Sequence, residues 1–153
     1  MPEGSHSSPL PGLPAEPEVL IECPRWSLVK RRADGSIDFI SPVPCPYNYG
    51  SIPGFQSGDG DPLDVVVLGP RLRGGSRLHM PVVGVVDFLD AGQADPKVIC
   101  SARPLGERER LGVERFFRLY ARFKQVLHWA RGEAADTRFR GWLALPDGGP
   151  GGR

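Results

Sequence analysis

Cysteine is scarce: Cys23, Cys45 and Cys100 lie far apart in 153 residues, with no C-x-x-C pair. That excludes a disulfide framework and a thiolate zinc site, and it fits a reducing cytoplasm. Long apolar runs are missing as well; none approaches the ~20 residues that cross a bilayer as a helix. The first eighteen residues hold five prolines but lack the apolar centre and basic flank of a signal peptide. They are expected to form a flexible leader. Excess charge is also lacking: the net charge is +1 and the pI about 7.8. No global field therefore draws nucleic acid or an anionic membrane, and neither is an expected partner. Lysine is nearly absent. Of 19 basic residues only Lys30, Lys97 and Lys124 are lysines, the other 16 being arginine. A compact ammonium and a planar guanidinium act differently around phosphate, so each lysine merits scrutiny.

Gly 20 and Pro 17 are abundant, which disfavours a helical bundle and favours short strands joined by turns. The length suits one domain, expected over residues 19–145, between the leader (1–18) and a glycine-rich tail (146–153). Val19–Cys23 reads as a first strand, and residues 26–32 and 37–40 as a hairpin about Asp34, Gly35 and Ser36. Pro42, Pro44 and Pro46 predict an irregular segment running into Asn48, Tyr49 and Gly50. Asp64–Leu68, Pro81–Phe88 and Lys97–Ser101 read as buried strands. Leu111, Val113, Phe116, Phe117, Leu119, Tyr120 and Phe123 recur at helical spacing behind Glu107–Arg110. A second helix is expected from about Gly132 to Trp142. Strands first and helices last imply an α+β fold, most simply a small barrel with helices packed outside.

The chemistry concentrates in DGDPLD, Asp59–Asp64, where three carboxylates fall within six residues. Carboxylates held this close repel unless a cation lies between them, and oxygen donors without nearby His or Cys suit Mg²⁺ or Mn²⁺. A solvated acidic turn is the plainer alternative. A calcium loop fails on spacing, because Pro70 falls where its bidentate glutamate belongs. Asp90 and Asp95 form a second acidic turn, with Lys97 two residues beyond; alone they are ordinary turn residues.

CPYNYG (Cys45–Gly50), DGDPLDVVVL (Asp59–Leu68) and DAGQADPK (Asp90–Lys97) together resemble the family I soluble inorganic pyrophosphatases. Glu22-Cys23-Pro24 with Lys30 resembles the family's entry motif, and Phe116–Tyr120 its F-F-x-x-Y helix. Trp129 with Glu133, Ala134 and Ala135 resembles the start of its final helix. The resemblance implies an OB-like five-stranded β-barrel with flanking C-terminal helices, and Mg²⁺-dependent hydrolysis of pyrophosphate. It implies Asp59, Asp64, Asp90, Asp95 and Glu22 as metal ligands and Asp61 as general base. Lys30, Lys97 and Tyr120 would contact phosphate, Tyr49 would order the site, and a homo-oligomer is the implied assembly. Departures are specific: Cys45 replaces a tyrosine, Ala121 a lysine and Arg32 a glutamate, and no counterpart of a phosphate-binding arginine lies between Gly35 and Cys45. If residues 26–32 form a strand, Arg32 shares a face with Lys30 and restores lost positive charge. The rival reading is a weakly active or inactive homologue that binds phosphate or a partner protein.

Overall fold

The computed structural model describes residues 10–32, 34–40, 44–56, 62–133 and 136–144. Its strands are β1 (Glu18–Cys23), β2 (Val29–Arg31), β3 (Ile37–Ile40), β4 (Asn48–Gln56), β5 (Pro62–Val67), β6 (Arg77–His79), β7 (Val82–Asp90), β8 (Gln93–Ala94), β9 (Lys97–Cys100) and β10 (Arg138–Ala144). One helix, α1 (Glu107–Ala130), completes the described elements. The main sheet runs β10-β7-β9-β5-β4-β1-β6, and β2 pairs with β3 separately. Within it, β1, β4, β5, β9 and β7 lie side by side. Numbered along the chain as five strands, their order is 1-2-3-5-4, with one parallel pair between β5 and β9. This is the strand arrangement of the OB fold.

Alternation along β5 builds two cores. Val66 and Leu68 face a cluster with Phe88, Ile99, Val113 and Phe117, which α1 covers. Val65 and Val67 face the other way, toward Val19, Ile21, Ile52, Leu63 and Val98. A strand buried on both faces reads as an unbroken aliphatic run, which is why residues 64–68 stood out in the sequence. Leu13 is buried in the second cluster with Leu10 packed beside it. The backbone N–H of Val82 donates to the carbonyl of Ala15. From Leu10 onward, then, the expected leader belongs to the folded unit.

Two expectations are corrected. The predicted second helix over 132–142 is instead strand β10, paired antiparallel to β7. Phe139 and Trp142 are three residues apart, a helical spacing. Yet they pair with Phe88 and Val86, two residues apart on β7. The extra residue is a bulge at Gly141, whose φ is +104°, and it returns both aromatics to one face. Likewise Trp129 does not open a final helix; it lies in the last turn of α1, 79% exposed. Asn48, Tyr49 and Gly50, into which the irregular proline segment is expected to run, open a nine-residue strand, Asn48–Gln56. Gly50 makes its pairing with β1 possible, because a Cβ there would lie 1.8 Å from the Leu20 carbonyl oxygen.

Gly50→Ala should therefore lower stability by about 3 kcal/mol or more, since backbone cannot yield as a side chain does. Gly54→Ala in the same strand, with nothing within 4 Å of an added Cβ, should stay within about 0.5 kcal/mol of the wild type in chemical denaturation.

Candidate active site

Strand register assembles the centre of the site. Ser51 stands opposite Asp64 across β4 and β5. Asp64 is aligned with Lys97 across the parallel pair β5 and β9. Lys97 is 1% exposed, and its Nζ lies 2.5 Å from Asp64 Oδ2 and 2.9 Å from Asp95 Oδ2. Burial opposes its charge, but Asp64, then Tyr120 and Asp95, overcome that cost and raise the pKa above the ordinary lysine value. The ammonium also lies 5.5 Å from the Phe88 ring centre and 5.9 Å from that of Tyr120.

On one flank, Ser51 Oγ donates to Glu22 Oε2 at 2.9 Å, and Lys30 Nζ lies 3.8 Å from Glu22 Oε1. Lys30 also sits 5.7 Å from the Tyr49 ring centre. The Tyr49 hydroxyl is buried beside Asp64, with no hydrogen bond of ordinary geometry among the described residues. Burial, followed by Asp64, Tyr120 and Asp95, pushes its pKa well above normal. This phenol keeps its proton, so it is a donor aimed among carboxylates.

On the other flank, α1 presents Tyr120, Lys124 and His128 at four-residue spacing, one face of a helix. Asp90 accepts from all that surround it: Lys124 Nζ at 3.1 Å, His128 Nε2 at 3.2 Å and Thr137 Oγ1 at 3.1 Å. Burial works against its ionisation, but these partners lower its pKa overall. The turn after β7 is tight: Ala91 and Gly92 have φ of +54° and +80°, as a two-residue hairpin demands. The helix ends in a paired stop, with the Gly132 N–H donating to the Trp129 carbonyl and the Glu133 N–H to that of His128. That stop sets Glu133 Oε1 2.9 Å from His128 Nδ1.

The structure thus gathers Asp64, Asp95 and Tyr120 about the Lys97 ammonium, with Tyr49 beside Asp64 and Glu22 and Lys30 on the same flank as Tyr49. Asp90 joins through the Tyr120 ring, whose centre lies 5.9 Å from the Lys97 ammonium and 5.8 Å from that of Lys124. Asp59 and Asp61 lie outside the described residues. Strand β2 stops one residue short of Arg32, at Arg31. Arg32 sits in the β2–β3 turn, and its Nη1 donates to the Ile37 carbonyl at 3.3 Å. Ala121 packs in the core beneath α1. Sequence reasoning missed His128, Thr137 and Ser51 altogether. The 120, 124, 128 spacing was a usable signal for the histidine, whereas nothing local marks Ser51 or Thr137.

Carboxylates, phenols and lysines converging at one end of an OB-type sheet define a site for polyanions and hard cations. A model of the inorganic pyrophosphatase family matches residues 19–139, and the chain belongs to that family. It is 37% identical over 97 residues to a soluble inorganic pyrophosphatase of Oryza sativa subsp. indica, covering 58% of this chain and 45% of that one. It is 36% identical over 104 residues to an inorganic pyrophosphatase of Gluconobacter oxydans, covering 63% and 60%. These matches span about half the length of such relatives. The crystal structure of the Thermus thermophilus inorganic pyrophosphatase superposes with a TM-score of 0.68 at 26% identity, covering 93% of this chain and 86% of that one.

In metal-free protein, the His128 imidazole should titrate above the ordinary histidine value of ~6.5, because Glu133 and then Asp90 favour its charged form. Its stabilising contribution is complete below the unfolded-state pKa and lost as pH rises through the folded-state value. Glu133→Gln should move the midpoint down, as followed by NMR of the ring protons.

Proposed function

We propose that this protein hydrolyses inorganic pyrophosphate to two phosphates with Mg²⁺ as cofactor. The observation that carries the reading is the pairing of Asp64 and Asp95 on the buried Lys97 ammonium, beneath Tyr49 and Tyr120. The support is in donor chemistry, since among the described residues no three His, Cys, Asp or Glu side chains are grouped to hold an ion: Asp64, Asp95 and Glu22 offer carboxylate oxygens, without thiolate or imidazole among them, which match a hard divalent cation. Asp90 and, by sequence, Asp59 would complete that set. Bound there, magnesium would neutralise substrate charge and acidify a water.

The side chains divide the remaining work. Pyrophosphate repels hydroxide, so the ammonium groups of Lys30 and Lys97 and the Tyr120 hydroxyl hold its oxygens and offset that charge. Lys97 keeps its proton throughout, since its two carboxylates favour the charged form. Tyr49 donates from its buried hydroxyl and orders the carboxylates. Asp61 accepts a proton from the attacking water, and the departing phosphate takes one up, so a phosphoanhydride bond and a water become two phosphates. Arg32 gives one Nη1 hydrogen to the Ile37 carbonyl, which leaves other guanidinium donors for a phosphate oxygen, the role we assign it. We place the activity in the cytoplasm, where free thiols persist, and infer a homo-oligomer, which light scattering reads directly.

Purified protein should release phosphate from pyrophosphate with Mg²⁺ and stop when the metal is chelated. Asp61→Asn should lower kcat by ~10² to 10⁴ while leaving the melting temperature near that of the wild type. Phosphate binding without turnover in the wild type would instead favour a non-hydrolytic homologue.

A further inference from the structure

We infer that Lys124 is a third substrate-contacting ammonium at this site, donating to oxygens of the bound diphosphate from the α1 side. The inference rests on the pyrophosphate reading above and names a residue that the reading does not use. Its starting point is a coincidence of composition and place. The chain has three lysines against sixteen arginines, and the fold brings all three to one site. Lys30 lies against the Tyr49 ring, Lys97 against those of Phe88 and Tyr120, and Lys124 against Tyr120. Four arginines pair with carboxylates elsewhere: Arg77 with Glu18, Arg110 with Glu107 and Glu114, Arg138 with Asp136, and Arg140 with Asp87.

Geometry supports a ligand role. Lys124 is 27% exposed, so its ammonium is reachable, and Asp90 Oδ2 at 3.1 Å engages it on one side. An ammonium has three donors, which leaves others for a phosphate oxygen. The Tyr120 ring holds the Lys97 and Lys124 ammonium groups at 5.9 and 5.8 Å from its centre. Burial and, to a lesser degree, Lys97 oppose the charge of Lys124, while Tyr120 and Asp90 outweigh them and favour it. An anion near both ammonium groups would relieve that repulsion. A salt bridge made only for stability would need no second cation on the same ring.

Lys124→Met keeps the aliphatic stem over Tyr120 and removes the charge; Lys124→Gln, which retains neutral donors, is the second variant. Binding of methylenediphosphonate, a non-hydrolysable diphosphate, and KM for pyrophosphate are measured at saturating Mg²⁺, with melting of the metal-free protein as a check on folding. Analogue affinity and KM should both worsen by ~10- to 100-fold in Lys124→Met, the range for a hydrogen bond to a charged group. Lys124→Gln should fall between it and the wild type. Loss that appears only at limiting Mg²⁺ and vanishes at saturation would assign Lys124 to the placement of Asp90 and overturn the inference. An active wild type with unchanged variants would overturn it while leaving the pyrophosphatase reading intact. A wild type that binds the analogue through Lys124 without releasing phosphate would reject hydrolysis but uphold the contact. A wild type that neither binds nor hydrolyses would end both.

Discussion

A buried ammonium shared by two carboxylates is the constraint around which this molecule is arranged. Taking the Lys97 charge out of water costs several kcal/mol, recovered only if its partners sit at hydrogen-bond distance. Asp64 and Asp95 do so at 2.5 and 2.9 Å. Their placement depends on the register between β5 and β9, where Asp64 aligns with Lys97 and Val65 with Val98. A slip by one residue would move Lys97 to the opposite face and expose the aliphatic run of β5 to the wrong core. The hydrophobic pattern that builds the two cores thus also sets the register of the ion triad.

The helix supplies the second half by the same economy. Phe117, Val113 and Ala121 bury one side of α1 against Phe88, Val86 and Val66. Tyr120, Lys124 and His128 are carried to the edge of the carboxylate cluster by that docking. Phe88 is central to both tasks, packing at 5.8 Å from Phe117 and 5.5 Å from Tyr120 while lying under Lys97. The strand that replaces the anticipated second helix adds Thr137 just ahead of it, and Thr137 Oγ1 both accepts from the Ala91 N–H and donates to Asp90. Turn, helix stop and edge strand therefore converge on one carboxylate, whose charge they stabilise from three directions.

Much of this was legible from residues alone, and for identifiable reasons. Strands buried on both faces announce themselves as aliphatic runs, so β5, β7 and β9 were placed correctly; the period of α1 is equally plain. The motifs around Asp64, Asp90, Asp95 and Lys97 fixed the family and the kind of chemistry, because carboxylate density and an adjacent lysine are local properties. What tertiary structure decided was parity and partnership. A bulge at Gly141 accommodates an apparent helical spacing within a strand, and β2 ends at Arg31, just ahead of Arg32. Asp90 received its lysine and histidine from a helix more than thirty residues away. Bulges, strand ends and docking angles are set by contacts between distant segments, and no window of sequence contains them.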